Sequence, residues 1–135
     1  MLRLPEFSYH APDSLSGVLA LLAEHPGRAR LVAGGTDLLP NLKHGIEEAD
    51  HVVSLVNLPE ASSVEELPGG GLRLGAMLTL EAVSEHERVR AVAPALAEAA
   101  GLVAGPHHRR MGTLGGNVCL NTRCVYINQK CVWLM

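Results

Sequence analysis

Two glycine-rich segments carry the residue types most suited to chemistry in this chain. The first is Leu31-Val-Ala-Gly-Gly-Thr-Asp-Leu-Leu-Pro40, in which an apolar run leads into two glycines, a Thr-Asp pair and a second apolar run. This order predicts a buried strand, a tight turn and the start of a helix, with Thr36 or Asp37 as the N-cap residue. Because glycines let a ligand approach the backbone, the free N–H groups of such a turn suit a phosphate.

The second segment is Met111-Gly-Thr-Leu-Gly-Gly-Asn117, where Thr113 and Asn117 add hydrogen-bonding side chains beside the backbone amides. Together the two segments could bind the two phosphates of one dinucleotide. Gly34-Gly35 alone is weak evidence, since a glycine pair after a strand is more often only a tight turn. The first segment matches neither G-x-G-x-x-G nor a phosphate loop ending in Gly-Lys-Ser/Thr, which argues against a Rossmann domain or a nucleoside triphosphatase.

The three cysteines, Cys119, Cys124 and Cys131, all fall within the last 17 residues. Their spacing matches no zinc site well and no fourth ligand is evident, so incidental thiols are an equally good interpretation from the residues alone. An odd number of cysteines, behind an N-terminus without the basic and apolar regions of a signal peptide, does not indicate a disulfide framework. We therefore expect a protein of the cytoplasm.

The seven histidines suggest no site. His107 and His108 are adjacent, and in an extended segment their side chains would point in opposite directions, so joint metal ligation is not expected. The other five are scattered along the sequence without evident partners: His10, His25, His44, His51 and His86. No pairing of a nucleophile with a base is visible, so we predict no catalytic side chain.

The elements that must position the first glycine segment form a β-α-β-α-β lobe over residues 1–57. Asp13 or Ser14 is expected to cap the first helix, whose spacing predicts an inward face of Leu15, Val18, Leu19 and Leu22. Gly45 is expected to close the second helix. The predicted strands and helices are, in order, Phe7–His10, Leu15–His25, Arg30–Ala33, Thr36–His44 and His51–Val56.

A second lobe is predicted over residues 58–135. The two glycine segments lie on either side of its junction with the first lobe, and ligand sites are common at such junctions. Two short strands flank a run of glycines and predict a hairpin, and two helices follow, the first capped by Thr79. The inward face of the later helix is predicted to be Leu96, Ala99, Ala100 and Val103. The predicted elements are Ser63–Leu67, Leu72–Ala76, Thr79–His86 and Pro94–Ala104, followed by a polar connector over Gly105–Arg110. The fold class is therefore α+β.

Composition restricts the function further. The chain has 135 residues, is 47% hydrophobic and 19% charged, and has a mean hydropathy of +0.17, which favours a packed globular protein. Its net charge of −3 gives no general attraction to nucleic acid. No apolar run approaches the ~18 residues of a membrane span, so neither nucleic acid nor a membrane is an expected partner.

These segments resemble the FAD-binding subunit of the molybdenum hydroxylases, the xanthine dehydrogenase and CO dehydrogenase family. The likeness rests on residues 31–43 and on Met111–Asn117. Shorter intervening segments agree, namely Leu72-Arg-Leu-Gly-Ala76, Thr79-Leu-Glu-Ala82 and Val103-Ala-Gly-Pro-His107. Within the family, Gly116-Asn-Val-Cys-Leu-Asn-Thr-Arg-Cys124 is most similar to the β subunit of 4-hydroxybenzoyl-CoA reductase.

The resemblance implies a vanillyl-alcohol-oxidase-type fold, in which two α+β lobes clamp FAD. It implies that the first segment binds the pyrophosphate through backbone amides and that the second approaches the flavin, with side-chain help from Thr36, Thr113 and Asn117. FAD would carry electrons, while partner subunits hold the iron–sulfur clusters and the molybdopterin that acts on substrate. The implied cofactor-binding residues are Val32, Ala33, Gly34, Gly35, Thr36, Asp37, Leu38, Thr113, Leu114, Gly115, Gly116 and Asn117.

The end of the sequence departs from the family. Cys124 matches the first ligand of a [4Fe–4S] cluster carried by an inserted loop, but a cluster needs about four thiolates, so none is expected in this chain alone. Members of the family are longer, and Lys130-Cys-Val-Trp-Leu-Met135 does not resemble them. We therefore expect a truncated subunit with an incomplete second lobe and weakened FAD binding. The alternative is a flavin-free remnant that folds and self-associates through exposed apolar surface.

Overall fold

The computed structural model describes residues 2–121, so the predictions for Cys124 and Cys131 lie outside the described residues. The first part of the chain forms β1 (Ser8–His10), α1 (Leu15–Glu24), β2 (Ala29–Val32), α2 (Leu38–Lys43) and β3 (His51–Ser54). A 3₁₀ turn at Pro59–Ser62 leads to β4 (Val64–Glu66), β5 (Leu72–Leu74), α3 (Leu80–Glu85), α4 (Glu87–Val92), α5 (Pro94–Leu102), α6 (Pro106–Met111) and α7 (Leu114–Val118).

The first sheet has three parallel strands in the order β1-β3-β2, with β3 in the centre. Side chains alternate between the two faces of a strand, and β3 shows this clearly. Val53 packs with Val18 of α1, whereas Val52 packs with Leu42 of α2. The two helices therefore cover opposite faces of the sheet, and the predicted β-α-β-α-β order is confirmed.

The inward face of α1 differs from the prediction. Ser14 is the N-cap, and its hydroxyl accepts a hydrogen bond from the Gly17 amide at 3.3 Å. Val18 is buried, and Leu21 and Leu22 pack beside it, but Leu15 and Leu19 are 56% and 57% exposed. The helix is apolar around most of its circumference, so more than one set of leucine and valine residues has helical spacing. Packing against the sheet decides which set is buried.

The second part of the chain begins with the predicted antiparallel hairpin of β4 and β5, whose turn includes Gly69 and Gly70 at positive φ. Thr79 caps α3 as predicted, accepting a hydrogen bond from the Ala82 amide at 3.1 Å. A separate hydrophobic core lies among these helices and comprises Leu78, Leu80, Val83, Val89, Ala97 and Ala100. This core positions the second glycine segment.

Three predictions in this region are wrong. Helix α4 was not expected, although its Val89 is completely buried. Of the predicted inward residues around α5, Leu96, Ala100 and Val103 do pack in the second core, but Ala99 is exposed and Ala97 is buried instead. The predicted connector after α5 is helix α6, which begins at a proline, a residue well suited to the first helical position. Its polar composition concealed it, because no apolar stripe marks a helix that short.

Helix α6 is attached to the preceding turn by Arg109. The guanidinium donates hydrogen bonds to the carbonyls of Val103 and Ala104 at 3.1 and 2.8 Å. Since α6 spans Pro106–Met111, His107 and His108 lie on a helix and not on an extended segment. Neighbouring side chains on a helix diverge by about 100°. Within residues 2–121, no helix has the length and apolar character needed to cross a bilayer.

Candidate cofactor site

The first half of the site is the turn between β2 and α2. Gly35 has a φ of +72°, a conformation that residues with side chains adopt only with strain. Within the described part of the chain, the amides of Gly34, Gly35 and Thr36 donate to no other protein group. The turn therefore presents three consecutive N–H donors, the arrangement predicted for a phosphate.

Asp37 is the N-cap residue of α2 but makes no side-chain capping bond. Its carboxylate instead accepts a hydrogen bond from Nδ2 of Asn41 at 3.1 Å. Asn41 is 6% exposed, and its carbonyl accepts from the amide of Ile46 at 2.9 Å. Asn41 thus connects the glycine turn to the loop after α2. In the sequence, only its position four residues after Asp37 indicates this contact.

The second half of the site is the start of α7. Thr113 is 4% exposed, and its hydroxyl accepts a hydrogen bond from the Gly116 amide at 3.1 Å. The Leu114 amide donates to the Leu78 carbonyl and the Gly115 amide to the Ala76 carbonyl, each at 2.8 Å.

The amide of Asn117 donates to the carbonyl of Thr113 at 2.9 Å, so it too is engaged within the protein. All four amides of Leu114–Asn117 are therefore engaged within the protein, and the binding of the cofactor by these residues stays a prediction. What the segment offers is a close-packed backbone surface without side chains at Gly115 and Gly116, together with the exposed side chain of Asn117.

Glycines allow the two segments to touch. A Cβ atom on Gly34 would lie 1.6 Å from the carbonyl oxygen of Met111, which no rearrangement of a side chain could relieve. A Cβ atom on Gly115 would likewise lie 2.8 Å from Cβ of Ala76. The absence of a side chain at Gly34 thus allows the two glycine segments to touch, whereas at Gly115 it allows the second segment to lie against the residues before α3.

The two segments line one cleft of about 640 Å³, within the range of ligand pockets. Eleven of the twelve predicted cofactor-binding residues line it, from Val32–Leu38 and from Thr113 and Gly115–Asn117. The exception is Leu114, whose side chain packs against the second core. Residues that were not predicted to bind the cofactor complete the cleft, among them Asn41, Ala76 and His108.

Acidic groups at the cleft are Asp37 and Glu47, and no lysine or arginine lines it among residues 2–121. Asp37 is hydrogen-bonded by Asn41, and Glu47 is 3.4 Å from Nε of Arg30. The negative charge of a phosphate would therefore be met here by amide dipoles. A second cleft of about 440 Å³, lined by Glu81, Arg90 and neighbouring residues, contains neither glycine segment.

The remaining candidate residues are the metal-ligand types, the cysteines and the histidines. The described residues contain no group of three or more His, Cys, Asp or Glu side chains placed to hold a metal ion. Cys119 is an exposed free thiol. The expectation that the histidines lack partners is wrong for His10, His25 and His51, whose rings lie in contact.

Residues 5–127 match the family model for the FAD-binding domain in molybdopterin dehydrogenase. The chain belongs to this family. Over 112 residues it is 38% identical to the xanthine dehydrogenase FAD-binding subunit of Escherichia coli O157:H7, covering 83% of this chain and 38% of that protein. Over 114 residues it is 38% identical to the carbon monoxide dehydrogenase medium chain of Hydrogenophaga pseudoflava, covering 84% and 39% of the two chains.

The fold is also shared with solved structures. A carbon monoxide dehydrogenase from Hydrogenophaga pseudoflava superposes with a TM-score of 0.83 at 37% identity, over 86% of this chain and 40% of that chain. Quinoline 2-oxidoreductase from Pseudomonas putida 86 superposes with a TM-score of 0.80 at 37% identity, over 84% and 39% of the two chains. The mixture of helix and sheet and the resemblance to molybdenum hydroxylase FAD subunits are confirmed, and the chain spans about two-fifths of the relatives' length.

Proposed function

We propose that this chain binds FAD in the cleft between its glycine segments and serves as the electron-transfer part of a molybdenum-hydroxylase-type oxidoreductase. The observation that carries the proposal is the convergence of both segments on one cleft, with three open amides on one side of it. Membership of an FAD-binding family supplies the identity of the ligand. The local geometry supplies the residues.

The amides of Gly34, Gly35 and Thr36 would hold the pyrophosphate, because they are adjacent and unengaged within the described chain, and the first two belong to residues without side chains. Thr113 holds the start of α7 in place through its hydrogen bond to the Gly116 amide. Asn117 would contact the flavin side with its exposed amide group. When bound, FAD would supply the ability to accept and release electrons, while the protein supplies placement and electrostatics.

Finer features of the proposal follow from the resemblance. They are a vanillyl-alcohol-oxidase-type pair of lobes divided near residue 58, a likeness to the 4-hydroxybenzoyl-CoA reductase β subunit, and a cytoplasmic location. Partner subunits would carry molybdopterin and iron–sulfur clusters, and Cys124 would ligate a [4Fe–4S] cluster in a longer form. The names of two relatives, a medium chain and an FAD-binding subunit, support an assembly of several subunits.

A second function is favoured by exposed apolar residues. Leu102 and Val118 are 76% and 75% exposed. A flavin-free protein that self-associates through such surface is the alternative. The visible spectrum of the purified protein, followed by titration with FAD, separates the two functions, because only bound flavin gives the characteristic absorption.

The site is tested by comparing Gly35→Asp with Gly35→Asn. Both residues have the same size and must adopt the positive φ of Gly35, which asparagine and aspartate tolerate better than most residues. Only aspartate places a negative charge beside the proposed pyrophosphate. We expect Gly35→Asp to weaken FAD binding at least about tenfold beyond Gly35→Asn, equivalent to about 1.4 kcal/mol.

Fluorescence titration with FAD measures both affinities against the wild-type chain. Equal affinities of the two variants would show that this turn does not contact the pyrophosphate, even if the wild-type protein binds FAD. A wild-type chain that takes up no FAD at all would instead reject the proposed function for this chain.

A further inference from the structure

Three histidines that are far apart in the sequence meet at the C-terminal end of α1. The rings of His25 and His51 are stacked, with centroids 3.6 Å apart and planes 6° from parallel. Nε2 of His10 lies 3.1 Å from Nδ1 of His51, a hydrogen-bond distance. We refer to His10, His25 and His51 as the histidine cluster. None of its members belongs to the proposed FAD site.

The cluster joins two strands of the first sheet to helix α1. His10 ends β1, His51 begins β3, and His25 is the C-cap residue of α1. Because His51 and Val53 are two positions apart, they share the face of the sheet on which α1 packs. The stack of His25 on His51 therefore connects the end of α1 to the sheet, beyond the apolar contacts made by Val18.

Few charged groups surround the cluster, and their signs are mixed. Oε1 of Glu24 on α1 is 3.9 Å from Nε2 of His25, but that carboxylate is 70% exposed. Arg28, between α1 and β2, forms an ion pair with Asp50, which precedes β3. The carboxylate of Asp50, the residue before His51, is thus already paired with the guanidinium of Arg28.

These surroundings disfavour a charge on His51. Burial of the ring lowers its pKa most, and the neighbouring His25, His10 and Arg28 lower it further, in that order. Asp50 opposes them by raising the pKa of His51, but the net direction is downward from the ordinary value of 6.5. The folded protein therefore binds fewer protons at His51 than the unfolded chain does.

The hydrogen bond inside the cluster limits how many protons it can take up. A neutral imidazole has one donor and one acceptor nitrogen, whereas a protonated ring has only donors. If either His10 or His51 alone is protonated, a donor still faces an acceptor. When both are protonated, two donors face each other at 3.1 Å. Protonation of both His25 and His51 similarly stacks one cation on another.

We propose that the histidine cluster is a pH-sensitive contact that releases the C-terminal end of α1 from the first sheet when it takes up a second proton. The described residues contain no triad arranged for a metal, so proton binding is the chemistry that this cluster supports. The stabilisation it provides is complete above the ordinary histidine pKa and is lost as the pH falls through the lowered pKa of His51. FAD is not required for this effect.

Amide hydrogen exchange of the complete chain, measured by NMR at about pH 7.5 and about pH 5.5, tests the proposal. After correction for intrinsic rates, we expect the opening equilibrium of the last turn of α1 to increase about tenfold at the lower pH. His51→Gln should abolish most of this increase, since glutamine is not protonated. His107→Gln, at an exposed position on α6, is the matched control and should respond like the wild type.

An equal response in wild-type and His51→Gln proteins would overturn the proposal. So would an increase spread evenly over α1, β3 and the second core, because that describes global unfolding. If His51→Gln does not fold, the ring protons of the wild-type histidines decide the question. Titration of His51 below the ordinary range and in more than one step supports the coupled cluster, whereas a single step at the ordinary value rejects it.

Discussion

Gly34 leaves no space for a side chain at the point where the two glycine segments meet. Its φ is not in the left-handed region, so the requirement for glycine here is one of contact and not of backbone conformation. The partner atom is the carbonyl oxygen of Met111, which is fixed by the end of α6. The sequence does not show why a glycine is required at position 34, because the contact joins residues that are 77 positions apart.

We predict that Gly34→Ala destabilises the protein by about 3 kcal/mol, since the added methyl group can be accommodated only by moving backbone. Urea denaturation measures the loss. Gly101→Ala is the matched control, because the same methyl group on α5 would meet Ser84 at an ordinary 3.6 Å. That control should be neutral or stabilising by up to about 1 kcal/mol. Similar losses in both variants would show that the close approach is absent.

At the scale of elements, α7 depends on one buried hydroxyl. Thr113 accepts from the Gly116 amide, and the neighbouring bonds of Leu114 and Gly115 attach the same turn to the segment before α3. We predict that Thr113→Val destabilises the fold by about 1–2 kcal/mol, because the Gly116 amide loses the hydroxyl that caps α7 while the side-chain volume at position 113 is retained.

Thr113→Ser keeps the acceptor and should recover most of that loss in thermal or urea unfolding. If valine and serine had the same effect, the methyl group of Thr113 and not its hydroxyl would account for the stability of α7.

The elements that could be predicted from the sequence are those that carry a local signal. The Ser14 and Thr79 caps, the glycine turn of the β4–β5 hairpin and the strand–glycine–helix order before α2 are examples. Helices α4 and α6 are as short as α2 and α3, six residues each, but they have neither the strand–glycine–helix order of α2 nor the capping threonine of α3. The inward face of α1 and the histidine cluster depend on tertiary packing, which no spacing along the chain reveals.

The candidate site shows the same division. Both glycine segments were recognisable from sequence, and the structure brings them to one cleft. The hydrogen bonds that the amides of Leu114–Asn117 donate could not be predicted. Their acceptors include the carbonyl oxygens of Ala76 and Leu78, which lie on a segment far away in the sequence. Asn41 was overlooked for a related reason: its burial depends on the loop that follows α2.

At the scale of the whole molecule, an ion pair adds to the hydrophobic packing between the β4–β5 hairpin and the helices of the second core. Arg88 on α4 donates two hydrogen bonds to the carboxylate of Glu66 on β4, at 2.6 and 2.9 Å. These hydrogen bonds, followed by the charge of Arg88, lower the pKa of Glu66 from its ordinary 4.5. The stabilisation is therefore present above about that pH and is lost as the pH falls through the lowered pKa.

We predict that Arg88→Gln returns the carboxyl titration of Glu66 to the ordinary range and removes part of the acid dependence of unfolding. Carbon-13 NMR of the glutamate carboxyl groups measures the first effect. Arg73→Gln is the control, because Arg73 pairs with Glu65 and not with Glu66. An unchanged Glu66 titration in Arg88→Gln would contradict the assignment.

The strand order of the first sheet also constrains how the chain folds. β3 is the last of the three strands to be synthesised, yet it lies between the other two, and β1 and β2 are not neighbours in the ladder. No pair of strands in this sheet can therefore form before residues 51–54 are available. Until then the nascent lobe has its local helices and turns without a sheet, and closure of the loops that bring β3 to its partners must precede formation of the parallel ladders.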